Sequence, residues 1–326
     1  MKKIIMKYYI SLFLVMTMLR YTAYAEQQSM PEDASVFITN DRIGAETICR
    51  MFDRDFYEAE CPQPGTLVKL KYKTTAYGDE LDRSANVYLP YGYDPDGEQR
   101  YPILYFLHGN EGNQASLIGS EWVKNSIDNM IMVGAAEPFI LVAPTYYYTR
   151  KQLVDMDRFL YELRDDLMPA VESTYHTYAP TADDEGFKAS RTKRALCGYS
   201  RGSMNTWNMM DKMIDYMYWF MPYSGAIAID ADGVESARMI ADRLNAVPEE
   251  YSKHFFIYAA CGTVDTAYDG CAALVAALTA DTEHFSYGTD PAVNNLYFCL
   301  SEEDHRTIAS RFYFYNAFGS VLFKVD

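Results

Sequence analysis

The stretch Ala195-Leu-Cys-Gly-Tyr-Ser-Arg-Gly-Ser-Met-Asn-Thr-Trp207 constrains this chain more than any other. A short apolar run leads into Gly198-Tyr-Ser200-Arg-Gly202, and residues able to start a helix follow. Gly-x-Ser-x-Gly is the sequence form of a tight strand-to-helix turn that pushes a serine out above the edge of a sheet. Side chains at the two glycines would collide in so sharp a turn. Five residues recur by chance, so the motif needs a parallel sheet, a base, an acid and an oxyanion site elsewhere in the chain.

The sheet is readable. Apolar runs without alternation recur at Ile103–Leu107, Phe139–Ala143, Arg194–Cys197, Trp219–Met221, His254–Ala260 and Asn295–Leu300. Such runs suit parallel strands covered on both faces. Segments of helical spacing or composition separate them: Ala115–Val133, Met156–Tyr175, Ser203–Met217, Glu235–Ala246 and Ala272–Leu278, with Arg306–Phe318 as a closing helix. Leu67–Tyr72 and Ser84–Leu89 alternate, as half-buried antiparallel strands do. Strands alternating with helices imply a mostly parallel central sheet with helices on both faces and right-handed crossovers. The predicted division is an N-terminal extension over 26–65, with a short helix within Ile43–Tyr57, and one α/β domain over 66–326.

Charge and termini narrow the class. The whole chain carries −16, and the first 25 residues hold Lys2, Lys3, Lys7 and Arg20 with no acid, so the remainder is more acidic still. Such a surface repels phosphate backbones and anionic lipid, which argues against nucleic acid and membrane-surface partners. The positive start, the apolar run Tyr8–Leu19 and Ala23-Tyr-Ala25 read as a secretory signal cleaved after Ala25, leaving a secreted protein. Six cysteines in an exported chain permit disulfides. Cys49 with Cys61 and Cys261 with Cys271 are the locally plausible pairs, whereas Cys197 and Cys299 read as buried thiols. No cysteine or histidine spacing resembles a metal site.

A serine nucleophile needs a base, because its own pKa leaves almost no alkoxide at neutral pH. Of five histidines, His305 follows the last strand and precedes the final helix, at the carboxyl edge where open α/β sheets build their sites. His254, His176 and His284 read as structural, and His108 as a support. The acid belongs between serine and histidine in chain order. Asp265 follows directly on the strand ending at Ala260, and Asp269 is the second candidate. Backbone amides of Arg201 and Asn110 are the expected oxyanion donors, the latter in the loop Leu107-His-Gly-Asn-Glu-Gly112. The chemistry requires no metal or organic cofactor.

These pieces resemble a known family. Asn86–Tyr93, Tyr101–Gly109, Glu162–Glu172, Gly198–Gly202, Phe220–Gly225, Gly262–Asp265, His305 and Tyr313–Phe318 are similar, in order, to the secreted esterase group of the α/β-hydrolases that includes carbohydrate esterase family 1. The resemblance covers about residues 66 to 326. It implies the α/β-hydrolase fold, a Ser200–His305–Asp265 triad, and hydrolysis of esters on feruloylated or acetylated plant-wall polysaccharide. Feruloyl esterase is the expected activity, with acetyl xylan esterase, an inactive polysaccharide-binding member and an acyltransferase as alternatives. Trp122, Trp207, Tyr223 and Tyr268, with Tyr146 and Tyr147, are the aromatic candidates to line a ferulate or sugar site. Arg201 stands where the family often has methionine, and Arg306 where a tryptophan often follows the histidine. These departures leave the triad intact but bear on the acyl pocket.

Overall fold

The structure, a computed structural model, describes residues 35–40, 45–50, 52, 54–149, 152–229 and 232–325. The expected signal segment and its cleavage point at Ala25 lie outside the described residues. No helix among the described residues is long and apolar enough to cross a membrane.

The chain opens with an antiparallel hairpin, β1 (Ser35–Asn40) and β2 (Ala45–Arg50). The short helix expected within Ile43–Tyr57 is the single turn Asp55–Glu58, and Ala45–Arg50 before it is strand. The segment Ala-Glu-Thr-Ile-Cys-Arg has no strict alternation, and it is strand because a partner strand lies just upstream to pair with it. Two antiparallel strands follow, β3 (Thr66–Thr74) and β4 (Leu81–Leu89). Then come β5 (Ile103–Leu107), β6 (Ile140–Ala143), the small hairpin β7 (Tyr147–Thr149) and β8 (Gln152–Leu153), and β9 (Arg194–Tyr199). The chain ends with β10 (Trp219–Tyr223), β11 (Phe256–Gly262) and β12 (Leu296–Ser301).

Eight of these form one sheet in the order β12-β11-β10-β9-β5-β6-β4-β3. Pairing is parallel from β6 through β5 and β9 to β12, and antiparallel at β4 and β3. After β5 the chain passes to β6 on one side and later returns to β9 on the other. The crevice above β5 and β9 is therefore the switch point where doubly wound sheets take their ligands.

Five helices of ten or more residues cover the sheet: α1 (Glu121–Met132), α2 (Arg201–Met213), α3 (Gly233–Asn245), α4 (Tyr268–Ala280) and α5 (Ser310–Ser320). Alternation within a strand decides which face each residue serves. In β5, Ile103, Tyr105 and Leu107 join a core with α2, α3, α4 and the helical stretch after Met156. Leu104 and Phe106 join the opposite core, built on α1 and α5. Phe52 of the N-terminal extension stacks on Phe312 at 4.6 Å, so the extension is part of that second core.

The six cysteines are all buried thiols, and no disulfide joins them. The pairing of Cys49 with Cys61 is not found: Cys61 rests on Met132 at 3.6 Å, and Cys49 lies against Cys299 and Asn316. Cys261 and Cys271 do touch.

The strand that carries the serine is anchored at its far end by a buried ion pair. Arg194, the first residue of β9, grips Glu172 through Nε–Oε1 and Nη2–Oε2, both 2.8 Å, and donates from Nη1 to the carbonyls of Phe187 and Tyr216. Glu172 also accepts from Tyr105 and Thr177 hydroxyls. Every polar atom of the pair is met, as a charge in such a place requires. Arg194→Met should leave the Glu172 carboxylate buried without its counter-ion and lower stability by about 3–5 kcal/mol, read as a fall in the urea midpoint. An unchanged midpoint would mean the pair contributes nothing.

Candidate active site

The turn from β9 into α2 is tight. Ser200 has φ 55° and ψ −114°, far from where a serine normally rests, and such strain persists only where the surroundings impose it. Its amide donates to the Tyr223 carbonyl of β10 at 2.8 Å, and its own carbonyl accepts from Met204. Gly202 makes the turn possible: a Cβ there would lie 2.0 Å from the Leu107 carbonyl oxygen. The first turn of α2 can thus press directly on the end of β5. This brings Ser200 beside the loop that leaves β5, and a Cβ on Gly109 would lie 3.4 Å from Ser200 Cβ.

Two more loops meet at this edge. β11 ends at Gly262, and β12 runs on to Ser301 and His305. A Cβ on Gly262 would fall 1.6 Å from the Glu303 carbonyl oxygen, so only glycine lets these loops touch. Their contact places His305 Nδ1 2.7 Å from Asp265 Oδ1 and His305 Nε2 2.9 Å from Ser200 Oγ. Of the two candidate acids, Asp265 is the one brought to the histidine. Asp269 lies in the first turn of α4 and lines the neighbouring cleft.

The electrostatics follow from burial and partners. Burial pushes the Asp265 carboxyl up. Hydrogen bonds from His305 and from the Ala267 amide (2.7 Å), with the Ser224 hydroxyl lying close by, outweigh it, leaving the group below its ordinary value. The hydrogen bond to Asp265 raises His305 above the usual imidazole value, and partial burial offsets only some of this. The imidazole therefore has its Nδ1 proton fixed toward Asp265 and its Nε2 lone pair toward the serine whenever it is neutral.

The loop after β5 is held on its back side. Burial drives His108 down to about 4, so it is neutral. Its Nδ1 donates to the Gly109 carbonyl at 2.8 Å, and Nε2 accepts from the Thr145 hydroxyl at 2.9 Å. The Gly109 carbonyl also accepts from the Gly112 amide at 3.2 Å. The peptide is trans, so its N–H, that of Asn110, points away from His108. The Tyr147 hydroxyl donates to Asn110 Oδ1 at 2.9 Å and accepts from the Glu111 amide at 3.0 Å. Arg201 Nε donates to the same Asn110 Oδ1 at 3.2 Å. His108 is the support that the sequence suggested, whereas the parts of Thr145 and Tyr147 depend on how two loops meet and have no sequence signal.

A cleft of about 850 Å³ opens at Ser200 and His305. Asn110 and Arg201 lie on its rim, and Met204, Ala226, Ala228, Ile229 and Ala273 make its apolar wall. None of the six aromatic candidates lines it; Tyr146 is buried and Tyr147 lies behind the β5 loop. Trp122 is on α1 against Tyr57, Trp207 and Tyr223 are core residues, and Tyr268 opens α4 packed against the core. Tyr223 is covered by Tyr313 and Phe314, and the Trp207 indole donates to the Gly225 carbonyl. Aromatic rings are worth more buried than aimed at an open cleft, so abundance did not locate them. Arg306 turns outward to Asp304 and Glu303. No His, Cys, Asp and Glu cluster among the described residues could hold a metal.

Sheet order, the serine turn and the loops at the switch point define an α/β-hydrolase. The sequence profile of the family described as Putative esterase matches residues 80–206. Endo-1,4-beta-xylanase Y of Acetivibrio thermocellus is 35% identical over 248 residues, 76% of this chain and 22% of that protein. An endo-1,4-beta-xylanase/feruloyl esterase of Xylanibacter ruminicola is 29% identical over 163 residues, 47% of this chain and 21% of that protein. The chain thus spans about a fifth of the curated relatives it matches. Among solved structures, a serine-to-alanine variant of the feruloyl esterase module from Clostridium thermocellum, complexed with sinapinate, has TM-score 0.72 and 35% identity. That match covers 82% of this chain and 91% of that one. A ferulic acid esterase from Anaeromyces mucronatus shares the fold at TM-score 0.62 and 20% identity, with 83% and 96% covered. The chain belongs to this esterase family, the serine esterases of the carbohydrate esterase family 1 group.

The raised imidazole sets a pH test that needs no substrate. With Ser200 as nucleophile and His305 as its base, fluorophosphonate labelling should require a neutral His305 and rise with pH through an apparent pKa above about 6.5. Asp265→Asn should move that limb lower and slow labelling by roughly 10³-fold or more. A limb that stays in place would show that Asp265 does not control His305.

Proposed function

We propose that the protein is an exported serine esterase that removes hydroxycinnamoyl groups, ferulate foremost, from plant-wall polysaccharide. The carrying observation is the Ser200–His305–Asp265 hydrogen-bond chain opening onto a cleft with an apolar wall. His305 takes the Ser200 proton as the serine oxygen attacks the ester carbonyl. The amides of Asn110 and Arg201 hold the oxyanion. The Arg201 amide is the first of α2 and has no partner inside the helix, and the Asn110 amide is turned from His108 by the clamped Gly109 carbonyl. His305 then protonates the departing sugar hydroxyl and later activates water to free the acid. Asp265 fixes the tautomer and stabilises the imidazolium.

The acyl preference is read from the cleft. One wall is built of small and flexible apolar side chains, with Asp232, Thr266 and Asp269 as polar neighbours, and the slot has room for a flat ring. An acetyl group would leave most of about 850 Å³ in contact with water and gain little apolar contact. The names of the relatives agree: a xylanase, a xylanase/feruloyl esterase and a feruloyl esterase module in complex with sinapinate. Acetyl xylan esterase is the second reading. A polysaccharide-binding protein without turnover is disfavoured by the ordered serine, imidazole and carboxylate.

Purified protein should release ferulate from methyl ferulate far faster than acetate from acetylated xylan. Ser200→Ala should lower kcat by on the order of 10⁵–10⁶ while near-UV circular dichroism stays unchanged. Faster acetate release would transfer the assignment to the second reading, and an active alanine variant would remove Ser200 from the mechanism.

A further inference from the structure

A second cleft, of about 740 Å³, lies behind the oxyanion loop. The loop separates the two: Asn110 borders the first, and Gly112, Asn113 and Gln114 border the second. Its opposite wall is the outer face of β3 and β4, with Lys69, Lys71, Asp82 and Ser84.

We propose that this cleft binds a carboxylate-bearing sugar, a uronosyl residue of the same polysaccharide whose ester reaches Ser200. The link between the two sites rests on the esterase reading; the anion site itself does not.

Lys69 and Lys71 stand two residues apart on one face of the edge strand β3, about 7 Å apart at Cα. Neither has an ion-pair or hydrogen-bond partner among the described residues. Uncompensated ammonium groups are out of keeping with a chain of net charge −16, which otherwise repels polyanions. The next residue of the row, Lys73, is neutralised by Glu80. Asp82, the one acid in the cleft, is paired in register with Lys73, two steps from Lys71. Arg83 is committed inward to Glu162 and to the carbonyls of Thr145 and Tyr147. The free positive charge of the cleft is therefore that of the two lysines, whose flexible stems can converge on one carboxylate.

The rest of the wall suits a sugar. Tyr148 is 41% exposed and held edge-on by Tyr77 at 5.1 Å, so one ring face is open to an apolar sugar face. Gln114 Nε2 and Ser84 Oγ, 3.2 Å apart, offer hydroxyl-binding groups. The chain from Asn110 to Gln114 spans at most about 14 Å, so a short oligosaccharide reaches both clefts.

The test compares wild type with the double variant Lys69→Ala/Lys71→Ala. Both residues are exposed, so melting should be unchanged. Three esters are used: methyl ferulate, a neutral feruloylated oligosaccharide, and one that carries a uronosyl substituent. The double variant should raise KM about five- to tenfold for the uronosyl substrate alone, with kcat intact, as loss of two exposed charge pairs implies. The difference should vanish in 1 M salt, where screening acts within about 3 Å. An equal effect on all three esters, or none on the uronosyl one, overturns the proposal. Calorimetry with an ester-free uronosyl oligosaccharide separates the two readings. Binding to wild type but not to the double variant upholds the site even if no ester is hydrolysed, and equal binding to both sinks it while leaving the esterase reading standing.

Discussion

The contact between the first turn of α2 and the carbonyl end of β5 is the constraint on which the site depends. Gly202 allows it, and Ser200 carries the strain that results. Because β5 and β9 are neighbours in the sheet, the same contact sets the serine against the loop that leaves β5. A backbone in this conformation would relax if α2 could shift. The hydrogen bonds of Ser200 to Tyr223 and Met204, and the burial of Trp207, Met210 and Met213 beneath the helix, prevent it.

The polar chain then grows outward from a rigid base. Gly262 lets the loops after β11 and β12 touch, and that contact orients Asp265 toward His305. On the other side, neutral His108 and Tyr147 grip the β5 loop from behind. The two grips differ in kind. The first is a charge-assisted hydrogen bond, one of those that hold the Asp265 carboxylate below its ordinary pKa. The second is a set of neutral bonds around a peptide group, indifferent to pH over the range where His305 titrates.

Much of this was legible in the sequence because strands and strand ends carry strong signals. Each buried parallel strand appears as an apolar run, and Ser200, Asp265 and His305 all lie just beyond such a run. The chain order of the three adds a second, independent signal. What stayed hidden depends on side-chain direction or on contacts between distant loops. Trp207 and Tyr223 are near Ser200 in sequence or strand register, yet they point into the two cores. The β1–β2 hairpin carries no alternation that marks it in the sequence, because its six-residue strands give little periodicity. The contact of Cys49 with Cys299 joins residues 250 positions apart, which local spacing cannot anticipate. Lys69 and Lys71 read as the solvated face of an edge strand until the opposing loop is in place.

The wall of the serine cleft has a consequence for how such a protein changes over time. Three of its apolar positions, Ala226, Ala228 and Ala273, are alanine, and Gly225, Gly233 and Gly270 lie among them. Nearly every replacement at these sites adds volume. At the three alanines the added volume narrows the slot, whereas at Gly225 and Gly233 a Cβ would strike the backbone of Ser200 and Ala273 and disturb the fold instead.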